Sequence, residues 1–210
     1  MRNRVSLILL LTVATYFLLM QVIPYLMIAQ GSLTVDFGFT FYPWQFTPMF
    51  ALAGLLGFYD RSLFKGIGWI IGLRLLTNFF LWQATGESRW MVYGTLPTIL
   101  ISMIACLWAA RFARESNSRF LLGGALLASP TLYFLVSNFQ VWLVGGGWGY
   151  TSDLNGLIQS YLFGLPFYRN EILSTIGFYL LMEWCNNRLV SPNEQLAAEP
   201  ATETVVSKQS

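Results

Sequence analysis

Apolar residues fall in long runs along this chain, and polar residues gather between them. Residues 5–29, 66–84, 91–110, 120–144 and 171–189 are runs of the length that crosses a bilayer, for which ~20 apolar residues suffice. Residues 46–59 form a shorter run rich in small side chains. Together they predict an all-α membrane protein, a bundle of six transmembrane helices. The first run is longer than the roughly 7–15 residue core of a signal peptide, and AQGS at 29–32 is a poor cleavage site. It reads as an uncleaved first helix.

Two segments between the runs have character of their own. Residues 30–45 hold five aromatics and one acid. In 154–165, Leu154, Leu157, Ile158, Tyr161, Leu162 and Leu165 share one helical face, with Asn155, Gly156, Gln159, Ser160 and Gly164 opposite. This predicts a short amphipathic external helix, about 18 Å long. It is too short to cross, so it lies in the interface or covers the outer end of the bundle. Ser152 or Asp153 can cap its start, and Pro166 is expected to stop it. Asn170 then caps the last run, with Glu171 in its first turn. Residues 191–210 are polar and patternless, and a disordered cytoplasmic tail is expected.

Charge orients the bundle. With the N-terminus inside, the inner segments hold Arg2, Arg4, Arg61, Lys65, Arg111, Arg114, Arg119 and Arg188, and the outer ones hold Arg89 and Arg169. Eight against two is a clear positive-inside bias. It predicts a multi-pass protein of the cytoplasmic (inner) membrane with both termini in the cytoplasm. Composition agrees. Only 10% of residues are charged, 55% are hydrophobic and the mean hydropathy is +0.55. Soluble domains carry about 25% charged residues, so a soluble fold of this chain could not cover its surface.

Function classes narrow in turn. The chain has no histidine, the usual general base and commonest metal ligand. Cys106 and Cys185 sit inside apolar runs and read as small packing residues. No nucleophile–base pair, metal spacing or haem ligand set is visible, and no basic cluster points to nucleic acid. The reading is therefore not an enzyme, with no cofactor and no metal site. The triple glycine at 145–147 is a flexible exit turn rather than a phosphate loop, since no Gly-Lys-Ser/Thr follows it. The Gly54/Gly57 and Gly68/Gly72 spacings favour close helix packing.

Arg74 is the sharpest single signal. A charge in mid-span costs at least ~2.5 kcal/mol, so it must face protein or water. Asn78, one turn on, shares its face. Together they form a candidate clamp for a solute's polar groups; the competing reading is a structural ion pair, with Glu183 as partner. Near the end of the fifth run, Asn138 and Trp142 share a face, and Gln140 lies between them. They read either as a polar and stacking platform at a binding-site mouth, or as an aromatic belt with an amide pinning two helices. Trp148 and Tyr150 would fold back to line the same mouth.

Several stretches together resemble an uncharacterised family of bacterial multi-pass membrane proteins. They are FTPMFALAGLLG at 46–57, SNFQVW at 137–142, and Gly156–Leu157 followed by Tyr161, Pro166–Phe167 and Asn170. That family is in turn similar to the substrate-binding S components of energy-coupling-factor vitamin transporters. The resemblance covers roughly residues 40–187. It implies an S-component-like fold, and it touches Pro48, Arg74, Asn138, Trp142, Gly156, Tyr161, Pro166, Phe167 and Asn170. Where the family pattern has an acid four residues after Arg74, this chain has Asn78.

These observations lead to one expectation and one rival. The expectation is an S-component-like membrane protein taking up a vitamin-like, ring-containing or anionic small molecule from outside. Its ligand-binding residues would be Arg74, Asn78, Asn138, Trp142, Trp148, Tyr150, Tyr161 and Asn170, with 154–165 as a lid. The resemblance implies as partners the lipid bilayer, a small solute, and an energising membrane subunit with its ATPases; the A-x-x-x-A docking signature of S components is absent from the first run. The rival is a structural or assembly protein whose intramembrane polar residues pin helices together.

Overall fold

The computed structural model describes residues 5–31, 45–60, 62–88, 91–92, 94–144 and 149–189. Six α-helices account for most of them: α1 Leu7–Ala29, α2 Met49–Tyr59, α3 Leu63–Thr85, α4 Leu96–Glu115, α5 Arg119–Val144 and α6 Leu154–Leu189. Four of these, α1, α3, α4 and α5, are long and apolar enough to cross a membrane. Their outward faces carry residues such as Leu11, Ile101, Leu132 and Val136, all at least half exposed. Water would not tolerate so continuous an apolar surface; lipid does. The chain is a membrane protein.

The helices alternate in direction, and contacts at the two ends show it. At one end, Asn186 near the close of α6 accepts the Ser6 N–H at the start of α1, 2.9 Å. There too Arg114, from the last turn of α4, donates to the Asp60 carbonyl just past α2, 2.6 Å. Ser62 caps α3 by accepting the Lys65 N–H. Lys65, Arg111, Arg114, Arg119 and Arg188 thus gather at one end of the bundle, as the charge count predicts. At the other end, α3 closes on Gly86 with φ 72°, a left-handed stop that glycine adopts freely.

α2 is the centre of the fold. All 11 of its residues are buried, against α4, α6, α5 and α3. A helix apolar all round belongs in a core, and two glycines let its neighbours close in. A Cβ on Gly57 would land on the Leu107 backbone carbonyl, and one on Gly54 would strike the Leu126 side chain. Gly68 and Gly72 behave differently: nothing lies within 4 Å of the place a Cβ would occupy. The 46–59 run is therefore not a full span. At ~1.5 Å per residue α2 is about 16 Å long, half of the ~30 Å hydrocarbon core.

The second correction concerns α6. The predicted lid at 154–165 and the predicted span at 171–189 are one helix of 36 residues that runs through Pro166. A proline in a helix interior removes one N–H and crowds the preceding turn. Membrane helices tolerate it where neighbours hold the chain on either side. Here Tyr168 stacks on Phe134 of α5, with ring centroids 4.6 Å apart. Asn170 and Glu171 are accordingly helix-interior residues, not a cap and a first turn. Within 154–165, Leu154, Ile158, Leu162 and Leu165 point outward, while Gly156, Ser160 and Gly164 are buried. The small residues, four apart, are what meets the protein.

Candidate functional site

Polar side chains collect in three places. The first is the half of the α5–α6 seam away from the basic end. Asp153 caps α6 by accepting the Gly156 N–H, 2.8 Å, and the Thr151 hydroxyl, 2.6 Å. The Thr151 hydroxyl and the Gly156 N–H hold the Asp153 carboxyl below the usual carboxylate range. The Trp142 indole N–H is shared between the Thr151 and Asp153 carbonyls, 3.1 Å each. Tyr161 donates across to the Leu135 carbonyl, 2.8 Å. Asn138 bonds the Phe134 carbonyl of its own helix, 2.8 Å, and its amide fills the space beside Gly164, where a Cβ would sit 2.5 Å from Asn138 Oδ1. Gln140 faces α4, accepting from Thr98 and donating to the Gly94 carbonyl, 2.8 Å each. Most of the expected mouth residues are thus spent on holding helices together.

Of the others, Tyr150 stacks on Phe163. Asn170 accepts from its neighbour Arg169. Trp148 and the glycines 145–147 lie outside the described residues.

The second place is the basic end. Glu183 pairs with Arg119 and accepts the Tyr59 hydroxyl, while Tyr179 lies 3.4 Å away. The Arg119 guanidinium also sits over the Phe58 ring, 4.5 Å from its centroid. This ties the end of α2 to α5 and α6. It also answers the expectation for Glu183: its ion-pair partner is Arg119, not Arg74.

The third place is the middle of the bundle. Arg74 stands about 16 Å into α3, and Asn78 follows one turn later on the same side. On α6, Glu171 is 4% exposed and lies about 18 Å along the helix from Glu183. Glu171 lies within the electric field of the Arg74 guanidinium. Ser174 and Thr175, both fully buried, continue that face of α6. The Phe17 ring of α1, also fully buried, is 6.0 Å from the Arg74 guanidinium carbon. Measured along the helices, this centre is level with the start of α2, which stops about 15 Å above its basic end.

Bonding at the centre is incomplete. The Asn78 amide donates to the Met91 carbonyl, 3.2 Å, but Asn78 Oδ1 finds no partner among the described residues. Neither does Thr175 Oγ1. Both side chains are 0% exposed. Ser174, by contrast, bonds the Glu171 carbonyl, 3.0 Å.

Sequence reasoning found Arg74 and Asn78 and missed Glu171 and Thr175. The signal was present, since an acid with a threonine four residues later in an apolar run marks one polar helix face. It was hidden by taking Pro166 as a helix stop, which turned Glu171 into an end residue.

The chain matches the model of the Family of unknown function (DUF6580) over residues 1–189 and belongs to that family. No curated protein and no solved structure matches it.

Proposed function

We propose that this DUF6580 member binds a small polar solute inside its helix bundle, at the centre formed by Arg74, Asn78, Glu171 and Thr175. One observation carries the reading: two fully buried oxygens, Asn78 Oδ1 and Thr175 Oγ1, lack a bond among the described residues. About 90% or more of buried polar groups are bonded in native proteins, and leaving one unbonded costs about 1–3 kcal/mol. A solute that bonds either oxygen would remove part of that cost. The role is binding rather than catalysis. We attach it to S-component-like uptake, with the basic end and both termini at the cytoplasmic face of a bacterial inner membrane. An energising membrane subunit with ATPases would then be the partner class.

A second reading has its own support. The bonds that Gln140, Trp142 and Tyr161 make from α5 and α6 to neighbouring segments are what a helix-pinning protein would show. Exchanging Arg74→Met alone does not separate the two readings. It removes a mid-span cation and its packing, which changes stability whatever the function. The double exchange Arg74→Met/Glu171→Leu removes both charges. The binding reading expects a folded protein that loses a small molecule seen on the wild type by native mass spectrometry. If the double variant fails to fold and the wild type carries no added mass, the pinning reading stands instead.

A further inference from the structure

α2 begins inside the bundle, and its first turn is short of hydrogen-bond acceptors. The first N–H groups of an α-helix have no partner within the helix. Here Leu52 reaches the Pro48 carbonyl, 2.7 Å, which leaves the N–H groups of Met49, Phe50 and Ala51. Pro48 is the N-cap, and no side-chain bond caps the turn. The three residues are at most 1% exposed, so bulk water does not reach these donors. Buried backbone N–H groups are paired in at least about 90% of cases.

A second observation leads to the same place. α2 and α6 run in the same direction, and two contacts set their register. Tyr59, at the end of α2, bonds Glu183, and a Cβ on Gly54 would sit 3.8 Å from the Tyr179 ring. Phe50 is one turn before Gly54, and Thr175 is one turn before Tyr179. Thr175 therefore stands opposite the first turn of α2. Thr175, Tyr179, Met182 and Asn186 form one buried stripe of α6, at i, i+4, i+7 and i+11. The Thr175 hydroxyl is on the side that meets α2; it is 0% exposed, and its oxygen has no partner among the described residues. Phe46, three residues ahead of α2, packs its ring against Phe178 of α6, centroids 5.6 Å apart. That contact holds the entry to α2 beside the same stretch of α6.

Three N–H groups and a hydroxyl thus share one buried place. All can donate, and the positive end of the α2 dipole lies there. An acceptor bearing negative charge suits them best. We infer that the solute is a small organic acid, held with its acid group on the first turn of α2 and Thr175. α2 fills the bundle on the basic side, so the body of the solute extends the other way, past Glu171, one turn further up α6. The inference rests on the solute-binding reading above and names the class of solute.

The test uses the full-length protein in mild detergent. Small molecules are released from wild type, Thr175→Val and Thr175→Ser by organic denaturation and identified by mass spectrometry with fragmentation. The exchange to valine keeps the shape and removes the hydroxyl; serine restores it. The expected result is an organic acid on the wild type, about tenfold less of it on Thr175→Val, and recovery on Thr175→Ser. A molecule without an acid group, lost from Thr175→Val, would overturn the class while leaving the binding reading in place. An inorganic anion alone would make the start of α2 an ion site and overturn the organic acid. A molecule held equally by all three proteins would move the site away from Thr175. No released molecule from the wild type would overturn both readings and leave the α2 donors and Thr175 to ordered water.

Discussion

The α5–α6 seam away from the basic end and the α3–α6 centre hold similar side chains and treat them in opposite ways. Along the seam, the polar groups of Asn138, Trp142, Tyr161 and Asp153 each have a partner, and backbone approaches side chain closely enough that Gly156 and Gly164 admit no Cβ. At the centre, Asn78 and Thr175 keep an open valence beside two charges. A saturated amide fixes geometry; an open one leaves a bond for something else. The tryptophan near a helix end, which looks most like part of a binding site in sequence, has its one donor fully used.

The contrast can be broken from its rigid side first. Gly156→Val drives a side chain into the Thr151 backbone. Overpacking of this kind costs about 3 kcal/mol, and the thermal midpoint in detergent should fall accordingly. A midpoint equal to wild type would mean the seam does not hold the fold. Glu183→Leu comes next. It leaves the Tyr59 hydroxyl without its acceptor, while the exposed Arg119 guanidinium turns to water, and about 1.5 kcal/mol of stability should go, read in the same melt. Trp142→Phe keeps the ring and removes one shared N–H bond, for a loss of about 1 kcal/mol.

From the open side the sign should change. In solute-free protein, Thr175→Val removes an unbonded buried hydroxyl, so stability should hold or rise by about 0.5 kcal/mol. A fall of about 1 kcal/mol or more would place Thr175 with the saturated class. The smallest effect is the Asp153 cap. Its folded-state pKa lies below the ordinary 3.8. Its contribution is therefore complete above the unfolded value and lost as pH falls through the lower, folded one. The Gly156 amide shift in NMR should turn at a pH below 3.8 and stay flat in Asp153→Asn. A turn at or above 3.8 would remove the carboxylate from the cap.

Much of the architecture was legible because membrane physics writes it in composition. Run length came within three residues of the ends of α1, α3 and α5 and within five of those of α4, and basic residues marked one end. What failed was facing. The Leu154–Leu165 stripe looks like the buried side of a soluble amphipathic helix, but in lipid the apolar side turns outward and Gly156, Ser160 and Gly164 turn in. Pairing over distance was also hidden. That Glu183 meets Arg119, and that Glu171 lies near Arg74, depends on how α6 aligns with α5 and α3, and no local spacing encodes it. Arg74 was found because a mid-span charge is costly wherever the helix packs.

The burial of α2 has a consequence for how the molecule is made. An 11-residue helix is too short to hold a place in a bilayer alone, and α2 has no face left for lipid once the fold is complete. Its main neighbours, α4 and α6, leave the ribosome after it does. Insertion and assembly therefore cannot follow the order of synthesis. α2 must wait beside α1 and α3, and it takes its final position only when the second half of the chain arrives to enclose it.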